Sequence, residues 1–319
     1  MMTESDKKRL IILTGPTAVG KTALSVHLAK AVNGEIISAD SVQVYRHLDI
    51  GSAKVTADEM QGVPHHLIDV LEPTEEFSVA AFQALAREAM EDIYSRGHIP
   101  VIVGGTGFYI QAVLYDIDFR QTADDGYRAH LEQLYDTGGA DALYQMLQEK
   151  DPVSAGHIHK NNVKRVIRAL EYEHQTGQLI SEHNETERKK ASPYNYAYFV
   201  LNCDRAKLYD RIEQRVDMMM EQGLMDEVKA LISQYHLSRD MVSMQGLGYK
   251  EILQYLEGEC SLDEAVYILK RDTRHFAKRQ LTWFRRERDV VFVDKEKLAS
   301  EEKQLAFMLE VLRDRGIIS

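Results

Sequence analysis

Residues 15–22 read Gly15-Pro16-Thr17-Ala18-Val19-Gly20-Lys21-Thr22, the spacing GxxxxGKT, directly after an apolar run and directly before a segment of helical pattern. Such a loop turns backbone N–H groups toward one point, and the helix start behind it adds a favourable dipole. Lys21 supplies a point charge and the Thr22 hydroxyl can ligate Mg²⁺, so the chemistry is that of a phosphate or diphosphate cradle. Which phosphate it holds is not written in the motif. ATPases and GTPases with such a loop place an acid at the end of a second central strand. Here the later strand ends Val101-Ile102-Val103-Gly104-Gly105-Thr106-Gly107, with no acid at its tip. The acid falls instead in Ser38-Ala39-Asp40-Ser41-Val42-Gln43-Val44-Tyr45. In an open parallel sheet a residue just after a strand emerges at the same carboxyl edge as the phosphate loop. Asp40 could therefore act there as a base, cap a helix or sit behind a magnesium ion. Gly104 to Gly107 adds close backbone approach and the Thr106 hydroxyl at that edge, although a tight structural turn accounts for the glycines equally well.

Cations form three further groups. Arg205, Lys207, Arg211 and Arg215 recur along one predicted helix, with Arg211 and Arg215 one turn apart on one face. Such a pair could clamp a leaving diphosphate, while a solvated charged face is the usual account of the spacing. Between Arg271 and Arg288, seven Lys/Arg (271, 274, 278, 279, 285, 286, 288) face only Asp272 and Glu287, a local +5 in a chain of net charge −11. His275, Phe276, Trp283 and Phe284 are interleaved with them. Basic residues with aromatics suit an RNA backbone with unstacked bases beside it, and an amphipathic core helix explains the aromatics as well. A second basic helix start carries Lys164, Arg165 and Arg168. The 12 histidines, among them His65-His66 and His157 with His159, match no metal-ligand spacing, and no zinc is expected.

The elements that must position these groups follow from periodicity. Short apolar runs at Leu10–Leu13, Ile36–Ala39 and Pro100–Val103 alternate with amphipathic segments, among them a helix over Val79–Arg96, the pattern of a parallel α/β sheet. From Tyr115 to about Tyr194 strand signals vanish and a polar, helical stretch punctuated by glycines takes their place. Ala197–Asn202 then reads as a returning strand, followed by one long helix from about Arg205 to Tyr235. Two further helices flank Gly246–Tyr249, and Val290–Val293 is the last core strand before an amphipathic C-terminal helix. The expected fold is α/β, a P-loop NTPase-like parallel-sheet core over 8–114 and 196–319 with C-terminal helices, interrupted by a helical subdomain over 115–195.

Composition bounds the function. With 319 residues, about two domains of roughly 150 residues fit, each able to bury a core. A hydrophobic share of 44% with 28% charged residues excludes a disordered chain. Cys203 and Cys260 lie far apart with no CxxC and read as reduced, packed thiols, which excludes a disulfide scaffold. The charged start runs straight into an apolar stretch too short for a signal-peptide core or a membrane span, so a cytoplasmic protein with no membrane partner is expected; a monomer is the expected state, although no feature of the sequence fixes it.

Taken together, GPTAVGKT, SADSVQVY, LDIGSAKVTADEMQGVPHHLIDVLEP, VIVGGTGFY, RVIRALE, MQGLGYKEI and FAKRQLTWFRR resemble the bacterial tRNA dimethylallyltransferase family, in its motif order, from about Leu10 to Phe292. The resemblance implies transfer of a dimethylallyl group from dimethylallyl diphosphate to the exocyclic N6 of the adenine 3′ to a tRNA anticodon. It implies that the loop, Gly15 to Thr22, holds the isoprenoid diphosphate, that Mg²⁺ is bound through Thr22, and that Asp40 is the general base. Lys21 and an arginine, Arg215 before Arg211, would neutralise the departing diphosphate. Contacts to tRNA are implied for Asp40, Ser41, Val42 and Gln43, for Thr106, for Lys164, Arg165, Val166, Ile167 and Arg168, and for Gly246, Gly248, Tyr249 and Lys250. Arg128 in the insert is added, and the basic helix contributes Arg274, Lys278, Arg279 and Trp283. The chain departs from the family at Val19, where a small polar residue is common, and at His159-Lys160, where His-Pro is common.

Three rivals share parts of this pattern. A small-molecule kinase would use the loop and Asp40 but leaves Arg271–Arg288 without a task. A prenyltransferase acting on free adenine nucleotide keeps the chemistry and has no need of the insert. A non-catalytic RNA-binding module leaves the phosphate cradle unexplained.

Overall fold

The computed structural model describes residues 7–119 and 125–319; the charged start, residues 1–6, lies outside them. In chain order the first part holds β1 (Lys8–Thr14), α1 (Lys21–Val32), β2 (Gly34–Ala39), α2 (Ala57–Met60), β3 (His65–His66), α3 (Val79–Ser95), β4 (Ile99–Gly104) and α4 (Gly107–Leu114). Helices α5 (Tyr127–Lys150), α6 (Pro152–Ala155), α7 (Val163–Thr176) and α8 (Ile180–Lys189) follow. The chain then returns through β5 (Tyr194–Asn202), α9 (Arg205–Glu221), α10 (Leu224–Tyr235), a 3₁₀ turn at Val242–Gln245, α11 (Tyr249–Leu256), α12 (Leu262–Phe284), β6 (Val290–Asp294) and α13 (Glu301–Asp314).

The strands form one sheet in the order β3-β2-β4-β1-β5-β6, and every neighbouring pair is parallel. A parallel sheet is covered on both faces, which is why the strands read as continuous apolar runs. In β1 the last five residues are all buried. The core packs Ile11, Leu13 and Val101 of the sheet against Leu24 and Leu28 of α1, Ile212 of α9 and Met308 and Leu312 of α13. Each such side chain, fully buried, contributes roughly 1.5–3 kcal/mol. Gly104 lies in register with Thr14 on one side and Ala39 on the other, so the ends of β1, β4 and β2 lie side by side.

Contacts divide the chain into two compact units, one up to Leu114 together with Pro193–Ser319, the other Tyr115–Ser192. The second unit has its own core of Leu131, Leu143, Leu147, Val166, Ile167 and Leu170.

Several expectations change in detail. The long helix over Arg205–Tyr235 is two, because Gly223 takes φ 100, a left-handed conformation that ends α9 and starts α10. Ahead of Gly246 stands a 3₁₀ turn, not a helix. Strand β5 starts at Tyr194, ahead of the expected Ala197, because Tyr194–Tyr196 register with Lys8–Leu10 of β1. The two-residue β3 pairs Ile36 with His65 and Ile37 with His66, too short to leave a periodic signal.

Candidate active site

The phosphate-loop residues run from the end of β1 into α1, and Asp40 follows the last residue of β2. Both lie at the carboxyl edge of the sheet, on either side of the β4 tip. There Thr17, Ala18, Gly20, Lys21 and Thr22 of the loop line one cavity of about 120 Å³ together with Asp40 and Arg215, while Gly15, Pro16 and Val19 are not among its lining residues and Val19 is buried in the core. Arg211 is exposed and is not among the cavity's lining residues, so of the two arginines it is Arg215 that the fold brings to the loop.

Asp40 is anchored by its own turn. Its Oδ1 accepts the N–H groups of Val42 (2.9 Å) and Gln43 (3.2 Å), which leaves Oδ2 without a hydrogen bond among the described residues. The turn belongs to a loop, so Asp40 does not cap a helix. Lys21 Nζ donates to the carbonyls of Gly15 (3.0 Å) and Pro16 (2.9 Å). Burial, with Arg215 adding and Asp40 opposing, pushes the Lys21 ammonium down to about 8. Burial also lowers Arg215, against the pull of Glu59 and Asp40. Two partly buried cations beside one carboxylate leave an excess of positive charge that an anion would balance. The Thr22 side chain makes no hydrogen bond among the described residues, and Thr22 lines the cavity.

The opposite wall comes from the segment between β2 and β3. Gln43 Nε2 donates to the carbonyls of Ser52 (3.2 Å) and Ala53 (3.1 Å), holding that wall to the Asp40 turn. Ile36, Val55, Ile68 and Val103 add apolar surface. His65 lines the cavity too, its Nδ1 donating to the Val63 carbonyl at 2.8 Å, and burial lowers its pKa, disfavouring the charged ring. Neither Ser52 nor His65 was singled out from the sequence as a site residue. Their only signal is the resemblance over LDIGSAKVTADEMQGVPHHLIDVLEP, which assigns no roles.

The remaining predicted residues fall in three places. Ser41 and Val42 belong to the Asp40 turn, and the Thr106 N–H donates to the Ala39 carbonyl at 3.3 Å. Gly246 packs against Val42, and the Gly248 N–H donates to Glu251 at 2.8 Å. Tyr249 is fully buried and its hydroxyl donates to Glu227 at 2.8 Å, so this side chain is no surface contact. Glu227 also accepts the N–H groups of Asp49, Ile50 and Gly51, which ties the cavity wall to α10 and α11. Lys250 lies 3.5 Å from Glu251.

On α12 the outer face offers a cleft of about 400 Å³ lined by His275, Lys278, Arg279, Thr282, Trp283 and Arg286. Lys278 and Arg279 form no ion pair among the described residues, and Arg279 lies 5.8 Å over the Phe276 ring. Trp283 meets Phe108 edge-on at 6.4 Å. Arg274 is held by Glu213 at 2.6 Å, which ties it to α9 and withdraws it from the free surface.

In the second unit Lys164 and Arg165 stand exposed at the start of α7. Val166 and Ile167, expected to touch RNA, are buried in that unit's core by the helical period, so their side chains are not available to a ligand. Arg128 grips Glu171 through two hydrogen bonds of 3.1 and 2.8 Å, and Arg168 lies 3.4 Å from the same carboxylate.

Among the described residues no helix is long and apolar enough to cross a membrane. Residues 43–287 match the profile of the IPP transferase family. A tRNA dimethylallyltransferase of Lachnoclostridium phytofermentans is 60% identical over 310 residues, covering 97% of this chain and 99% of that protein. One of Carboxydothermus hydrogenoformans is 52% identical over 297 residues, covering 92% and 94%. Among solved structures, the full-length tRNA isopentenylpyrophosphate transferase of Bacillus halodurans matches with a TM-score of 0.72 at 46% identity, covering 97% of this chain and 98% of that one. A eukaryotic dimethylallyltransferase acting on tRNA matches with a TM-score of 0.82 at 30% identity, covering 97% of this chain and 79% of that one. With the loop, Asp40 and Arg215 gathered at one sheet edge and relatives matched over nearly their whole length, the chain belongs to the IPP transferase family.

Proposed function

We propose that the chain transfers a dimethylallyl group from dimethylallyl diphosphate to N6 of the adenosine 3′-adjacent to the anticodon of tRNA, releasing diphosphate. The observation that carries this reading is the single cavity in which a phosphate cradle, two partly buried cations and the Asp40 carboxylate meet. An exocyclic adenine amine is a poor nucleophile because its lone pair is delocalised into the ring. In the transfer, the N6 lone pair bonds to C1 of the dimethylallyl group, the C1–O bond breaks, and the diphosphate leaves with the bonding pair. Asp40 takes the N6 proton as the new bond forms. Lys21, Arg215 and the loop amides neutralise the diphosphate as charge builds on it. The adenine must leave the anticodon-loop stack to reach Asp40.

A magnesium ion fits this donor set only as a partner of the diphosphate. Among the described residues no group of three His, Cys, Asp or Glu could hold a metal, while Thr22 lines the cavity. Mg²⁺ typically takes one or two protein ligands and fills its octahedron from phosphate oxygens and water. When bound, it would add charge neutralisation at the leaving group, with Thr22 as its protein ligand.

The basic outer face of α12 and the exposed Lys164 and Arg165 support tRNA as the acceptor over a free nucleotide, which would need neither. The test offers labelled dimethylallyl diphosphate and Mg²⁺ with unmodified tRNA, AMP or ATP as acceptor. Label in tRNA alone is the expected outcome; label in AMP would move the protein to a nucleotide prenyltransferase, and ATP hydrolysis without transfer would overturn the reading.

A further inference from the structure

Helix α12 has two faces with different tasks. Its inner positions, Thr273, Ala277, Gln280 and Phe284, recur at helical spacing and are buried. An amide among them is costly unless both its ends are bonded. Gln280 meets that condition in a particular place. Its Oε1 accepts the backbone N–H of Thr17 in the phosphate loop at 2.8 Å, and its Nε2 donates to the Gly105 carbonyl at 3.0 Å. A Cβ on Gly105 would come within 2.2 Å of that nitrogen, so only glycine admits the contact. One side chain thus spans the loop after β1, which lines the cavity through Thr17, and the loop after β4, one residue past the cavity-lining Gly104.

From this geometry we infer that Gln280 is a positioning residue for the diphosphate site, fixing the phosphate loop through Thr17 while the outer face of the same helix stays free for RNA. The inference deepens the function proposed above and rests on its assignment of the loop to diphosphate. Gln280 touches no reacting atom; it acts through the loop. Without it the Thr17 N–H loses its acceptor, the Gly105 carbonyl loses its donor, and the loop's amides are no longer held converging before the ligand arrives.

The test uses the full-length protein and inorganic pyrophosphate as probe. Gln280→Met removes both hydrogen bonds at similar volume; Gln280→Glu keeps the acceptor, loses the donor and sets a carboxylate beside the cradle. Pyrophosphate affinity by titration calorimetry is expected to fall about tenfold in Gln280→Met, the size of one lost hydrogen bond. The fall should be larger in Gln280→Glu and partly relieved by salt. In turnover, KM for dimethylallyl diphosphate should rise with kcat within about threefold and tRNA affinity unchanged. A merely structural role would lower Tm and leave pyrophosphate affinity and KM at the wild-type value below the transition. That result, in whichever variant folds, overturns the inference. If the wild type itself binds no pyrophosphate, the reading of the loop fails instead.

Discussion

At the scale of residues, Asp40 lines the cavity and commits one oxygen, Oδ1, to its own turn, leaving Oδ2 without a hydrogen bond among the described residues. Asparagine can still accept the Val42 and Gln43 N–H groups, so Asp40→Asn keeps the turn and removes the proposed base. Transfer rate should fall by about 10² to 10⁴, with tRNA affinity by filter binding within about twofold; a lost affinity with residual turnover would make Asp40 a binding residue. Lys21 carries a pH signature. Its ammonium is pushed down to about 8, so it is charged below that value and neutral above it. Pyrophosphate affinity should therefore be level up to about pH 7 and fall as pH rises through 8, and the fall should vanish in Lys21→Met. Much of this site was legible because spacing alone defines a phosphate loop. The choice of Arg215 over Arg211 was not, since both share a helix face, and only the packing of α9 on the sheet decides which one reaches the cavity. Tyr249, Val166 and Ile167 were misplaced for a related reason. Proximity in a motif says nothing about which side of an element a side chain occupies.

At the scale of elements, α12 separates a buried face from a basic one. Replacing Lys278 and Arg279 together by alanine should weaken tRNA binding and lower its salt slope by roughly 1 to 2, as two phosphate contacts are lost. An unchanged slope would remove this helix from the RNA interface. The tip of β4 makes a different demand. A Cβ on Gly104 would lie 2.2 Å from the Ala39 carbonyl, so Gly104→Ala must displace the end of β2 that carries Asp40. Turnover should drop at least about tenfold, consistent with a small misplacement of a catalytic group, with tRNA affinity retained. Five strands and the Val79 helix could be read from apolar periodicity. The break between α9 and α10 could not, because residues on both sides of Gly223 keep a helical pattern and only a backbone angle interrupts it.

At the scale of the whole molecule, the two edges of the sheet are specialised. The carboxyl edge holds the site, while the amino edge is tied by Glu35, which accepts from Arg96 at 3.0 and 2.8 Å and lies 2.7 Å from His66 and 2.6 Å from His98. Burial would raise this carboxyl, but the Arg96 and histidine hydrogen bonds outweigh it and hold it at about 2. A depressed carboxyl stabilises the fold above its ordinary range and loses that contribution as pH falls toward 2. Glu35→Gln should cost about 2 kcal/mol at neutral pH, with the gap in Tm to wild type closing between pH 5 and pH 2. A gap independent of pH would mean that packing, not charge, accounts for the loss. The α/β class and the helical insert were legible from where strand signals start and stop. The strand order was not, nor was the Gln280 to Thr17 contact, which joins positions 263 residues apart that no local pattern connects. The proposed transfer modifies one atom of one nucleoside. After reaction with labelled dimethylallyl diphosphate, nuclease digestion of the tRNA and mass spectrometry of the nucleosides should find the label on N6 of the adenosine immediately 3′ of the anticodon. Label on any other nucleoside, or an unlabelled tRNA beside a labelled free nucleotide, would contradict the account.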